Sequence, residues 1–297
     1  MEGFLNCLEN HGIDFAREFC LARVSAMRLG GSCTAFIRPA TEEELEWILS
    51  QALRLGIKYK IVGRMTNILP SDDEYDGVII STSKLSSYSV AENVLEAQCG
   101  AMLSKLAVAL ARRGLGGISQ LSGIPGTVGG MIYSNAGAYG LEISDVFIDS
   151  RVYDISAEKE LVLDKTDMEF SYRHSLLRSG KYALLSARFS LSQASADTVL
   201  SEIRELGERR RKKQPLDMPS LGSAFLRPPG HFAAKLIDDA GLRGLRVGGA
   251  SVSMKHAGFI VNSGGATAAD VRSLIRLVQD CVMKKYGVEL IPEIEFL

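Results

Sequence analysis

Cysteine is scarce in this chain and follows no pattern. The five residues, Cys7, Cys20, Cys33, Cys99 and Cys281, are odd in number, well separated, and form no CxxC pair. That spacing argues against a disulfide framework or a cysteine-built zinc site, so small buried thiols and no metal are expected. A signal-like segment is missing as well, because residues 1–20 carry charges throughout and hold no apolar stretch of signal-peptide length. No run approaches the roughly 20 apolar residues of a membrane span. Nor does one sign of charge dominate: 34 Lys and Arg face 35 Asp and Glu, a formal net charge of -1. No global field therefore points to nucleic acid or to an anionic membrane. A cytoplasmic protein with neither kind of partner is expected.

What is present is ordinary globular composition, 46% apolar and 23% charged over 297 residues, enough for two or three cores. Residues 41–55 predict a helix: Thr41 and Glu44 form a capping-box pattern, and Leu45, Ile48, Leu49 and Ala52 share one face. Residues 103–113 predict another, with Leu103, Leu106, Ala107 and Leu110 aligned. TAFIRPA, IKYKIVG, GVIIS and VLEAQCG read as strands. ALLSARFSLS, from Ala183, alternates: Leu185, Ala187, Phe189 and Leu191 face one way, and Ser186, Arg188 and Ser190 the other, as in a half-buried strand. A charged helix is expected from 195 to Lys213, before Pro215. Residues 267–286 predict a long amphipathic helix capped by Thr267 and Asp270, with Val271, Leu274, Ile275, Val278 and Val282 as its stripe. VELIPEIEFL closes the chain as a strand. Helices and strands mix without strict βαβ alternation, which favours α+β domains.

Glycine is concentrated in a few turns. RLGGS holds Gly30 and Gly31, VGRMTN spans 62–67, IPGTVGG spans 124–130, and NAGAYG spans 135–140. Backbone without Cβ atoms can approach a ligand closely and offer N–H groups to a diphosphate. Neither standard phosphate motif is present: there is no GxxxxGK followed by Ser or Thr, and no GxGxxG opening a helix after a strand. On chemistry alone, a phosphate cradle and a glycine turn packed under a helix stand as equals.

Taken in order, SAMRLGG, VGRMTN, SGIPGTVGGMIYSNAGAYG, FSYRHS, PSLGSAFLRPPG, KHAGFIVN and the terminal PEIE resemble the UDP-N-acetylenolpyruvoylglucosamine reductase (MurB) family, from about Ser25 to Glu295. The resemblance implies an FAD-binding fold of the vanillyl-alcohol-oxidase type, made of two α+β subdomains, plus a C-terminal α+β substrate-binding domain. The implied boundaries are 1–83 completed by 290–297, then 84–194, then 195–289. It implies non-covalent FAD, NADPH as co-substrate, and UDP-N-acetylglucosamine-enolpyruvate as the small molecule reduced to UDP-N-acetylmuramate by a monomer or weak oligomer. The implied FAD contacts are Gly63, Arg64, Thr66 and Asn67, the run Gly123, Ile124, Pro125, Gly126, Thr127, Gly129 and Gly130, and then Asn135, Ala136 and Gly137. Two departures stand out. GRMTN replaces a turn of small residues, so Arg64 and Met65 are unusual there. No tyrosine-bearing insertion fits between Arg151 and Tyr172, as in the shorter type II form.

Hydride addition to an enol ether conjugated to a carboxylate creates negative charge that must be held, and a proton must follow. The resemblance implies that Ser223 in GSAF donates that proton, with Glu293 in PEIE assisting and Arg173 in YRHS holding the carboxylate or enolate. These three, from separate segments, would meet at the flavin. A strand would place Glu295 on the same face as Glu293. His174, next to Arg173 on an extended segment, would face away. Lys213, at the end of RRRKK, Arg227, His256, Asn262 and Tyr172 are candidate substrate contacts. Lys213 is suited to a diphosphate, and its neighbours to a favourable helix C-terminus. Two competing readings are a flavin oxidase or dehydrogenase acting on an alcohol or amine, and a flavin-binding protein without catalysis.

Overall fold

The computed structural model describes all 297 residues. The chain forms two compact units. The first comprises Met1–Arg17, Ala35–Gly63 and Gly77–Glu208, and the second Glu18–Thr34, Arg64–Asp76 and Arg209–Leu297. Each has its own apolar core. Residues 84–194 lie wholly in the first unit, while residues 18–34 and 64–76 group with the C-terminal region.

In the first unit a five-stranded antiparallel sheet runs in the order Lys159–Asp164, Phe147–Asp154, Tyr182–Ser190, Val94–Gln98, Tyr88–Ala91. A second sheet contains the parallel pair Tyr59–Val62 and Tyr75–Ser81, with Val62 opposite Ser81. The helix Glu42–Arg54 begins as its sequence requires: Thr41 Oγ1 accepts the Glu44 amide at 3.2 Å, and the expected stripe is buried. The Glu44 carboxylate turns back to the Ala40 amide at 2.6 Å. The strand Tyr182–Ser190 departs from the alternating expectation. Ala183 through Ala187 are all buried, Ser186 included, because this central strand is covered on both faces there; only its last residues alternate.

In the second unit a four-stranded antiparallel sheet runs Ser220–Ser223, Phe259–Asn262, Ala250–Val252, Arg246–Val247. The helix Ala268–Tyr286 packs on it through Val271, Leu274, Ile275, Val278 and Val282, all buried. Each such side chain contributes about 1.5–3 kcal/mol on burial. Thr267 and Asp270 form the capping box, and Gly287 ends the helix at φ +68°. Asp72 adds a second N-terminal cap, its two oxygens accepting the Ala268 and Ala269 amides at 2.7 and 2.9 Å.

The closing segment is not one strand. Only Glu295–Phe296 pairs regularly, parallel to Ile68–Leu69, and Pro292 forms an isolated bridge with Phe225. Pro292 lacks an amide donor, and the chain changes partner there: the Glu293 amide bonds Ala224 O at 2.9 Å and the Glu295 amide bonds Asn67 O at 3.0 Å.

Candidate active site

Within the first unit, the turn at Gly63 lies directly against Thr127. A methyl group on Gly63 would collide with the Thr127 hydroxyl and lie 3.1 Å from its methyl carbon, so only glycine fits. Thr127 caps the short helix Val128–Tyr133, its hydroxyl accepting the Gly130 amide at 3.4 Å. The Val128 and Gly129 amides are spent on Ala101 O and Cys99 O, at 2.8 and 2.7 Å, and the Ile124 amide on Leu121 O. A Cβ on Gly129 would sit 3.2 Å from Cys99 O, a tight contact. The Ile124, Val128 and Gly129 amides therefore shape the turn. The absence of a Cβ on Gly63 lets its turn lie against the Thr127 side chain.

The side chains of Asn135 and Asn67 make internal hydrogen bonds. The Asn135 side chain is 1% exposed. Its Nδ2 donates to Glu142 at 2.9 Å and to Ser171 O at 3.1 Å, and its Oδ1 accepts the Ser144 amide. Ala136 and Gly137 follow in the same loop; a Cβ on Gly137 would crowd Glu142. Asn67, in the second unit, donates Nδ2 to Glu293 O at 2.9 Å and so braces the carboxylate-bearing segment. In the same turn Arg64 is exposed, Thr66 is half-buried, and Met65 is buried at φ +49°. That left-handed backbone explains why small residues suit the position.

Arg173 sits in the first unit on a two-residue reverse turn, not on an extended segment. Ser171 and His174 exchange both backbone bonds, at 3.2 and 3.0 Å, leaving Tyr172 and Arg173 at the tip. Arg173 adopts φ +56°, a conformation rare for a non-glycine residue. Its guanidinium lies 5.2 Å from the Tyr172 ring centre and reaches Gly137 O at 3.5 Å. His174 is exposed.

Ser223 and Glu293 both belong to the second unit, on neighbouring segments joined by the Glu293 N–Ala224 O bond. Ser223 follows Gly222 at φ +77° and is exposed. Glu295 pairs with Ile68, its amide bonding Asn67 O. The Asn262 side chain bonds internally, to Met27 O at 3.1 Å and to the Gly264 and Ala266 amides. His256 accepts the Gly258 amide on Nδ1 and packs edge-on against Phe259. Burial, then the charge of Arg243 and more weakly that of Lys213, pulls its pKa below the usual imidazole value. Lys213 is exposed, and Arg227 lies over the Phe232 ring at 4.5 Å. Sequence reasoning missed Asp72, whose bonds to backbone 196 and 197 residues away leave no local signal, and Arg178, whose Nε bonds Arg173 O.

The first unit thus carries the Gly63 turn against Thr127, and the second carries Ser223 and Glu293 on neighbouring segments. The model of an FAD binding domain matches residues 33–158, which defines the class as a flavoprotein. The model of the UDP-N-acetylenolpyruvoylglucosamine reductase C-terminal domain matches 214–297. The chain is 46% identical over 292 residues to the UDP-N-acetylenolpyruvoylglucosamine reductase of Caldicellulosiruptor bescii, covering 98% of this chain and 93% of that one. It is 39% identical to the reductase of Clostridium tetani, covering 97% and 94%. The crystal structure of UDP-N-acetylenolpyruvylglucosamine reductase (MurB) from Thermus caldophilus superposes with a TM-score of 0.81 at 30% identity, over 96% of this chain and 98% of that one. A berberine bridge enzyme variant shares the fold alone, with a TM-score of 0.50 and 17% identity over 65% of this chain. The chain belongs to the UDP-N-acetylenolpyruvoylglucosamine reductase family.

Proposed function

We propose that the chain catalyses the NADPH-dependent reduction of the enolpyruvyl group of UDP-N-acetylglucosamine-enolpyruvate to UDP-N-acetylmuramate, a peptidoglycan precursor. One observation carries the reading: Ser223 and Glu293 stand on neighbouring segments inside the region matched by the reductase C-terminal domain. An oxidase or dehydrogenase on the same flavin fold has no use for that pair.

Bound FAD would supply the hydride relay between NADPH and the terminal vinyl carbon of the substrate. The Gly63 turn and the loop before Thr127, with Gly123 and Gly126, would hold the FAD diphosphate. Hydride addition leaves negative charge on the carbon beside the substrate carboxylate. Ser223 Oγ gives its proton to that carbon; a serine hydroxyl is a weak acid, but an enolate is a strong base. Glu293 restores or orients the proton. Arg173 offers a planar cation to the carboxylate and to the charge that spreads onto its oxygens. Lys213 offers a cation to a diphosphate. The reading places the chain in the cytoplasm, where NADPH and nucleotide sugars are made.

The test is steady-state turnover of the purified, flavin-loaded protein. NADPH consumption should require UDP-N-acetylglucosamine-enolpyruvate and yield a product heavier by two hydrogens. NADPH-independent oxygen consumption with an alcohol or amine would support the oxidase instead. A yellow protein with no NADPH turnover would leave only a flavin carrier.

A further inference from the structure

The Arg173 turn is held from two directions by side chains to which the reaction gives no role. Arg178 Nε donates to Arg173 O at 3.1 Å, while its guanidinium stacks over the Tyr133 ring at 4.6 Å. Asn135 Nδ2 donates to Ser171 O, at the start of the same turn, and is itself fixed by Glu142 and by the Ser144 amide. The Ser175 hydroxyl, just past the turn, bonds Tyr133 O at 3.1 Å. Asn135 is itself left-handed, at φ +39°. Two non-glycine residues in this conformation, one holding the other's turn, persist only when their surroundings over-determine them.

We infer that Arg178 and Asn135 are positioning residues that fix the backbone of the Arg173 turn, so that its guanidinium is pre-aimed at the substrate carboxylate. The inference rests on the reading of Arg173 given above. A guanidinium recognises a carboxylate through a planar fork, so a small rotation of its turn costs geometry before it costs folding. Arg178→Lys keeps a cation near Tyr133 but removes the Nε donor. Asn135→Ser, a smaller change of the second clamp, guards against a folding defect in the first.

The test compares two ligands that differ at the group in question. UDP-N-acetylmuramate carries the carboxylate, and UDP-N-acetylglucosamine lacks it. Dissociation constants are measured by calorimetry on flavin-loaded wild type, Arg178→Lys, Asn135→Ser, Arg173→Ala and the Arg178→Lys/Arg173→Ala double variant. Each clamp variant should weaken UDP-N-acetylmuramate by about 10-fold, leave UDP-N-acetylglucosamine unchanged, and add nothing further in the Arg173→Ala background. Equal weakening of both ligands would reduce the clamps to general structure and overturn the inference. So would wild-type affinity in both clamp variants while Arg173→Ala binds UDP-N-acetylmuramate poorly. If Arg173→Ala itself binds UDP-N-acetylmuramate as wild type does, the role of Arg173 falls, and the clamps with it.

Discussion

Ser223→Ala isolates the proton-transfer step. Ser223 ends the strand Ser220–Ser223 opposite Phe259, with its side chain exposed. Alanine keeps the backbone pairing and opens no cavity, so stability should move by no more than about 0.5 kcal/mol. Loss of a positioned proton donor typically costs about 10²–10⁴ in rate, or about 2.7–5.5 kcal/mol at 1.36 kcal/mol per tenfold. The cost should fall on one half of the reaction. Rapid-mixing absorbance would follow flavin bleaching by NADPH and its recovery on adding the enolpyruvyl substrate. Bleaching should proceed at the wild-type rate and recovery should slow by about 10²–10⁴. Equal slowing of both halves, or unimpaired recovery, would refute the assignment of Ser223 as donor.

Three further outcomes follow from the geometry. Gly63→Ala drives a methyl into the Thr127 side chain; overpacking of this kind costs about 1–3 kcal/mol, and flavin absorbance per protein should drop together with Tm. Glu46 has its pKa raised to about 7 by burial and then by the neighbouring Glu160. Its unfolded value is lower, so its contribution is complete below the unfolded pKa and is lost as pH rises through about 7. Glu46→Gln should therefore gain thermal stability over wild type at alkaline but not acidic pH; an equal Tm difference at both would contradict the assignment. Asp72→Ala removes one of two caps on the helix Ala268–Tyr286, with an expected loss of about 0.5–2 kcal/mol in denaturant unfolding.

The long amphipathic helices were legible because cap and stripe agree: Thr41 with Leu45, Ile48 and Leu49, and Thr267 with Asp270 and the valine-leucine face. Loops were harder. YRHS carries no glycine or asparagine to announce a reverse turn, so the left-handed Arg173 could not be read from its neighbours. In VELIPEIEFL the apolar pattern suggests one strand, yet Pro292 splits it between two partners. At the site, motif order conveyed the family, but polar residues in motifs look alike whether they face a ligand or the backbone. The side chains of Asn135, which is buried, and of Asn67 and Asn262, which are half-buried, all brace backbone far along the chain. The bonds that matter span 36, 226 and 235 residues, beyond any local pattern.

The account stands most directly on anaerobic sequential mixing of the wild-type protein. NADPH alone should bleach the flavin fully. UDP-N-acetylglucosamine-enolpyruvate added next should restore its colour and release one UDP-N-acetylmuramate per flavin. A reduced flavin that persists in the presence of that substrate, and reoxidises only when air is admitted, would contradict it.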